Sequence, residues 1–250
     1  MGVGELARGA AVLRDAGEVL VFTGAGMSTE SGIPDFRSPG GIWSRFDPED
    51  FTYQRFLSSA EARRRVWRMG REIGPMLRDA PPNAGHRAIA RAMAAGKVGW
   101  VVTQNIDGLH QKAGCPAERV IELHGTAHAV RCLDCAKEWG REEVEGWLAR
   151  GVEEPRCDAC GGIVKPRTIA FGEPMPERET VLAFERARSC DALLVVGSSL
   201  VVYPAAEVVP AAKRAGARLV IVNLEETAYD GLADAVVRAK AGEALPQLLA

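Results

Sequence analysis

A chain of 250 residues, 47% hydrophobic and 26% charged, has length for one large domain, or a domain and a half, around a real core. Its formal charge of −2 gives no global electrostatic reason to expect nucleic acid or an anionic membrane as a partner. No apolar run reaches the roughly 18 residues of a membrane span, and Glu5, Arg8, Arg14 and Asp15 stand where a secretory signal would need apolar residues, so a cytoplasmic protein is expected.

The first helical pattern covers residues 5–15. Residues 19–22 (Val-Leu-Val-Phe) then read as a short buried strand opening onto Thr23-Gly24-Ala25-Gly26-Met27-Ser28-Thr29. A strand that meets glycines at its end is the pattern of a phosphate-binding turn, whose backbone N–H groups approach a pyrophosphate closely. The segment departs from the dinucleotide fingerprint G-x-G-x-x-G, because Thr29 stands where the third glycine belongs. It continues through Ile33-Pro34-Asp35-Phe36-Arg37, which an ordinary helix start would not contain. The loop therefore reads as a nucleotide site that does more than hold a nucleotide.

Residues 41–83 interrupt the pattern with a helix-like stretch over 59–77 that closes at Pro81-Pro82. Its arginines (Arg63, Arg64, Arg65, Arg68, Arg71) are broken by Glu61 and Glu72 and backed by Val66, Trp67 and Met69, which describes a solvated amphipathic helix better than a nucleic-acid site. A helix over 85–95 and a strand over 98–103 follow, with a weaker strand over 119–122. Later come a helix over 177–189, a strand over 192–196, a helix over 205–215 and a strand over 219–222. Short apolar strands alternating with helices predict an α/β fold, a parallel sheet with helices on both faces; the family resemblance described below implies that this fold is Rossmann-like. Ligand then sits beyond the carboxyl ends of the strands. The candidates are residues 23–37, 104–107, 124–125, 197–199 and 223–225.

At these ends Gln104, Asn105 and Asp107 offer the donors and acceptors that a carboxamide ligand requires, although Asn105 or Asp107 could equally cap a turn. His124, at a strand end, is placed to act as a general base. His86 and His110 lie on predicted helices and His128 lies beside the cysteine-rich segment, so structural roles are expected for all three.

Four of the six cysteines fall as Cys132-x-x-Cys135 and Cys157-x-x-Cys160, with 21 residues between the pairs. Two such knuckles complete a closed tetrahedral site, so one structural zinc is expected. Cys115 and Cys190 are expected to be plain buried thiols. Residues 129–163 thus read as a zinc-ribbon module, and 41–83 as a helical one. Together they would form a smaller lobe inserted into a discontinuous Rossmann-like domain of 1–40, 84–128 and 164–250.

With these pieces in order, the chain resembles the sirtuins, NAD-dependent protein-lysine deacylases. The likeness is carried by G-A-G-M-S at 24–28, G-I-P-D-F-R at 32–37, Q-N-I-D at 104–107, His124-Gly125, the cysteine quartet, F-G-E at 171–173, G-S-S at 197–199 and Asn223. The resemblance implies NAD as a consumed co-substrate and acetyl-lysine proteins or peptides as partners. Gly24, Ala25, Gly26, Ser28, Thr29, Asp35, Arg37 and Gln104 would surround the pyrophosphate and the nicotinamide ribose, with Phe36 shielding the reacting carbon. Asn105, Ile106 and Asp107 would hold the nicotinamide carboxamide. Gly197, Ser198, Ser199, Asn223, Glu225 and Ala241 would face the adenosine half.

By the same resemblance, acyl-lysine would enter past Phe171 and His124. Its backbone would add as a strand between Ile169, Phe171, Gly172 and Glu173 on one side and Val201 and Tyr203 on the other. His124 would be the general base, with Asn105 and Asp107 beside it in the catalytic set. Family members that remove acidic acyl groups carry Tyr-x-x-Arg where this chain has Trp67-x-x-Gly70, which favours acetyl and longer apolar acyl groups here. A hydride-transferring dehydrogenase would need the third glycine and a ribose-binding acid about 20 residues on; Thr29 and the proline-containing continuation oppose it. An ADP-ribosyltransferase would keep the fold and the same residues.

Overall fold

The computed structural model describes residues 3–36 and 38–250. Its strands are β1 (Val19–Thr23), β2 (Val98–Thr103), β3 (Val120–Glu122), β4 (Gly125–Cys132), β5 (Glu138–Gly140), β6 (Val164–Thr168), β7 (Ala192–Val196), β8 (Arg218–Val222) and β9 (Ala235–Val237). Six of them form a parallel sheet in the order β3-β2-β1-β7-β8-β9. Counted along that sheet alone the order is 3-2-1-4-5-6, that of dinucleotide-binding folds, and it reverses between β1 and β7.

Every residue of β1 and β7 is buried, because helices cover both faces. Alternate side chains serve opposite layers. Val19 and Val21 join Leu194 and Val196 in a core shared with Ile89, Ala92 and Leu245, which belong to α4 (Ala84–Ala94) and α9 (Ala241–Leu248); α1 (Val3–Asp15) closes the same face. Leu20 and Phe22 join Leu193 and Val195 in the opposite core with Ala183, Val208 and Ala212, from α7 (Glu177–Ser189) and α8 (Val208–Arg214). Each such fully buried Val, Leu or Phe contributes roughly 1.5–3 kcal/mol. This two-sided burial explains why the strands read as continuous apolar runs.

The remaining strands make an antiparallel sheet, β5-β4-β6. Both β4 and β6 reach outside residues 129–163, so the small sheet is rooted at the residue after His124. Residues 41–83 hold α2 (Tyr53–Ser58) and α3 (Ala60–Asp79). Trp67 of α3 is buried in one core with Val130, Trp139, Val144 and Val164, so the helical insertion and the ribbon pack as one lobe. Arg141, opening α6 (Arg141–Ala149), lays its guanidinium over the Trp67 ring.

Three elements differ from the sequence expectation. Strand β9 is only Ala235–Val237 and gains its burial from β8 rather than from its own length. Helix α9 contains Pro246, which hides its helical pattern. Residues 205–207 are a 3-10 turn leading into α8 and not its first turn. Among the described residues no helix is long and apolar enough to cross a membrane.

Candidate active site

The loop after β1 makes two 3-10 turns, Ala25–Met27 and Thr29–Ser31, where a dinucleotide fold would start an α-helix. Its glycines have a different use from the one their spacing suggests. The Gly24 amide donates to the Val196 carbonyl (3.0 Å) and the Gly26 amide to the Gly197 carbonyl (2.9 Å). A Cβ on Gly24 would stand 2.8 Å from the Gly197 carbonyl oxygen, and one on Gly26 would stand 2.9 Å from the Gly197 Cα. Gly197 has φ +61, and a Cβ there would strike the Met27 amide. The three glycines therefore let two loops interlock where the strand order reverses. The Gly24 and Gly26 amides are hydrogen-bonded within the protein. Asp35 accepts from the Ser38 amide (2.8 Å). Arg37 lies outside the described residues.

The end of β2, next to β1, is wired to this loop. Ser28, 1% exposed, donates to Asp107 Oδ2 (2.6 Å), and Asn105 Nδ2 donates to the Gly24 carbonyl (3.0 Å) and to Ser28 Oγ (3.2 Å). Asp107 Oδ1 also accepts from the Leu109 amide (2.9 Å), so it caps a turn as well as holding Ser28. Gln104 Nε2 donates to Ser198 Oγ (2.8 Å), joining β2 to β7. Ser28, Gln104, Asn105, Asp107 and Ser198 thus form one contiguous polar patch. Ser199 and Glu225 are exposed, and Asn223 is half-buried with its amide donating to the Glu225 carbonyl (2.8 Å). Ala241 is buried at the start of α9, with its backbone against Gly85.

His124 precedes β4 and is half-buried. Its Nδ1 lies 3.1 Å from the Gln104 carbonyl. A carbonyl can only accept, so Nδ1 carries the proton and Nε2 is the basic nitrogen. Burial lowers the imidazole's pKa below 6.5, against a smaller raising effect of the Gln104 carbonyl. The ring is consequently neutral and able to take a proton near pH 7.

Beyond β6, the Phe171 carbonyl accepts from the Tyr53 amide (2.8 Å), and Thr52 and Phe171 form a parallel bridge. The Ile169 amide donates to the His124 carbonyl (2.9 Å). Gly172 has φ +76, turning the chain toward Glu173. Phe171, Val201 and Tyr203 are exposed at 43%, 54% and 60%. Trp43 connects the two sides of the site, with ring centroids 5.4 Å from Phe36 and 5.9 Å from Phe171. Behind Ile106, a cavity of about 260 Å³ opens between α3 and β4, walled by Met69, Ile73, Leu77 and Ala127.

Residues outside the predicted site support it, among them His110 and His128 in the structural roles expected of them. Asn83, the N-cap of α4, donates to the Met27 carbonyl (2.8 Å) and to Ser31 Oγ (3.1 Å), tying the glycine loop to a helix start. His128 Nε2 lies 2.8 Å from the Asp107 carbonyl. His110 Nε2 lies 3.0 Å from Thr23 Oγ1, which bonds Thr103 Oγ1, which accepts from the Asn105 amide.

The four sulfurs of Cys132, Cys135, Cys157 and Cys160 lie within 4.8 Å of one another. Cys132 and Cys160 are 3.5 Å apart, and Cys135 and Cys157 are 3.6 Å apart. A tetrahedral ion with Zn–S bonds of about 2.3 Å sets its sulfurs about 3.8 Å apart, so the quartet fits one zinc. Four thiolates leave no open coordination position, and the ion is structural. Cys115 and Cys190 are buried, and burial pushes each thiol up to about 11.

The sheet order, the interlocked glycine loops, the neutral imidazole and the four-cysteine lobe define an α/β enzyme of dinucleotide-binding type whose site is built for acid–base chemistry. The chain belongs to the Sir2 family, whose model matches residues 24–204. It is 46% identical over 230 residues to an NAD-dependent protein deacetylase of Thermodesulfovibrio yellowstonii, covering 92% of this chain and 88% of that protein. It is 45% identical to NAD-dependent protein deacylase 2 of Archaeoglobus fulgidus, covering 98% of this chain and 95% of that one. A solved Sir2 complex with a p53 peptide and NAD+ superposes with a TM-score of 0.87 at 36% identity, covering all of this chain and 98% of that one.

Proposed function

We propose that the protein is an NAD-dependent protein-lysine deacetylase that moves the acetyl group of acetyl-lysine to ADP-ribose, releasing nicotinamide, deacetylated lysine and O-acetyl-ADP-ribose. The observation that carries this reading is His124, a neutral imidazole with Nδ1–H held by the Gln104 carbonyl, standing where β2 and β3 end. NAD supplies the ADP-ribose acceptor and the nicotinamide leaving group. Ser28, Asn105, Ile106 and Asp107 hold the carboxamide end. Ala25, Thr29, Asp35, Phe36 and Gln104 line the ribose and pyrophosphate, joined by the flank of Gly24 and Gly26. Gly197, Ser198, Ser199, Asn223, Glu225 and Ala241 lie toward the adenosine half. His124 Nε2 takes a proton from a ribose hydroxyl, which raises that oxygen's nucleophilicity toward the acyl carbon. The acetylated peptide adds as a strand beside Ile169–Glu173, whose other flank is already taken by Thr52 and Tyr53.

The catalytic lobe of this reading is residues 1–40, 84–128 and 164–250, with 41–83 and 129–163 making the second lobe. A cytoplasmic setting accompanies it, supported by a cysteine quartet arranged as thiol ligands and not as disulfides. Longer apolar acyl groups are a second reading, favoured by the cavity behind Ile106. An acidic acyl group has less support: Gly70 carries no side chain, and Arg141, which covers it, is engaged by Glu145 through Nε (3.1 Å). The test is nicotinamide release from NAD with an acetyl-lysine peptide, a succinyl-lysine peptide, or none. Release that requires the acetyl peptide supports the proposal. Release without any peptide assigns NAD hydrolysis or ADP-ribosyl transfer instead.

A further inference from the structure

Beneath the peptide edge lies an ion pair that the reaction itself does not use. Lys165, on β6, and Glu173 keep only 4% and 3% of their side chains exposed and meet at 2.7 Å. Isolated charges this deep cost several kcal/mol each, so a pair is retained only where its geometry satisfies both partners. Here it does. Glu173 Oε2 also accepts from the Ala170 amide (2.9 Å), and Oε1 faces Arg131 of β4 (3.2 Å). Lys165 Nζ donates to the Thr168 carbonyl, and it sits 6.0 Å from the Tyr53 ring centroid and 5.9 Å from that of Phe56. The pair therefore grips residues 168–173 from inside, and through Tyr53 it grips the segment whose amide bonds the Phe171 carbonyl. One residue from Thr168, the Ile169 amide holds the His124 carbonyl.

We infer that the buried Lys165–Glu173 pair is a positioning device for the acyl-lysine peptide. It sets the backbone of residues 168–173 relative to both α2 and His124, and so controls peptide affinity without touching NAD or the reacting atoms. This inference rests on the peptide edge proposed above. The amide and carbonyl groups of an edge recognise a strand only when they are held in line, and a loop here has no sheet of its own to hold it. The two charges and their five further contacts supply that order.

The test measures peptide binding by fluorescence anisotropy and steady-state kinetics for the wild type, Lys165→Met and the uncharged pair Lys165→Met/Glu173→Gln. The double variant leaves no lone buried charge and guards against simple unfolding. The expected result is a peptide Kd and KM raised at least tenfold, with the NAD KM and the kcat at saturating peptide within about threefold of wild type. Unchanged peptide affinity in both variants would overturn the inference. So would a parallel fall in kcat, NAD affinity and peptide affinity, which a merely structural pair would produce. A wild type that binds the acetylated peptide but releases no nicotinamide would instead defeat the proposed activity and leave the binding comparison intact.

Discussion

The cysteine quartet and the strand-end patch are both polar clusters, but they are assembled by opposite means. Each half of the quartet is built from a knuckle of four residues, so local spacing specifies two ligands at a time. The patch gathers Ser28, Gln104, Asn105, Asp107, His124 and Ser198 from four separate strand ends, and only the sheet order brings them together. A locally encoded site should fail as a unit with its own lobe. A topologically encoded site should fail residue by residue while the fold survives.

Removing one thiolate is the harshest way to probe the first half of that contrast. Zinc binding in small ribbons contributes about 10–16 kcal/mol to folding. Cys132→Ser is expected to lose stoichiometric zinc, measured by plasma emission, and to lose activity completely, because α3 and the peptide edge share the ribbon's core and strands. Retained zinc and activity would show that the lobe stands without its metal.

The second half predicts a gentler failure. His124→Ala should reduce peptide-dependent turnover by roughly 10²–10⁴-fold, the usual worth of a general base, while NAD affinity measured by calorimetry changes little. The same neutral ring makes activity fall on the acid side with a midpoint below 6.5, read from the pH dependence of kcat/KM.

Gly197→Ala tests the interlock between the two glycine loops. A left-handed backbone and a Cβ pressed on the Met27 amide together cost about 3–5 kcal/mol, observable as a lower denaturant midpoint. Wild-type stability in this variant would mean that the loops are not rigidly interlocked.

A smaller effect of similar kind comes from His86. Burial, with a minor contribution from Arg87, lowers its pKa to about 4. The folded-state value lies below the unfolded 6.5, so its contribution is intact above pH 6.5 and is lost as pH falls toward 4. The shift corresponds to about 3 kcal/mol. Urea titrations at pH 7 and pH 4.5 should show that loss shrink when His86 is replaced by Phe.

Sequence and structure agree best where a residue's setting is local. Strands β1, β2, β7 and β8 were legible because two-sided burial writes itself as an apolar run, and the zinc knuckles because two thiolates must sit a turn apart. The glycines of the first loop were recognised, but their close approach to the Gly197 loop was not. Their need is for Gly197, more than 170 residues away, and a fingerprint contains no such information. Trp43 and Lys165 were missed because residue spacing does not announce their side-chain partners, the Phe36 and Phe171 rings and the Glu173 carboxylate. Strand β9 drew its burial from β8, and Pro246 disguised α9.

We propose the strand-end patch as one acyl-transfer site with His124 as its base. Mass spectrometry of the products from NAD and an acetyl-lysine peptide tests it most directly. The prediction is O-acetyl-ADP-ribose formed in equal amount with nicotinamide by the wild type, and O-acetyl-ADP-ribose formation reduced roughly 10²–10⁴-fold in His124→Ala. Free acetate with intact NAD, or undiminished O-acetyl-ADP-ribose from the variant, would contradict it.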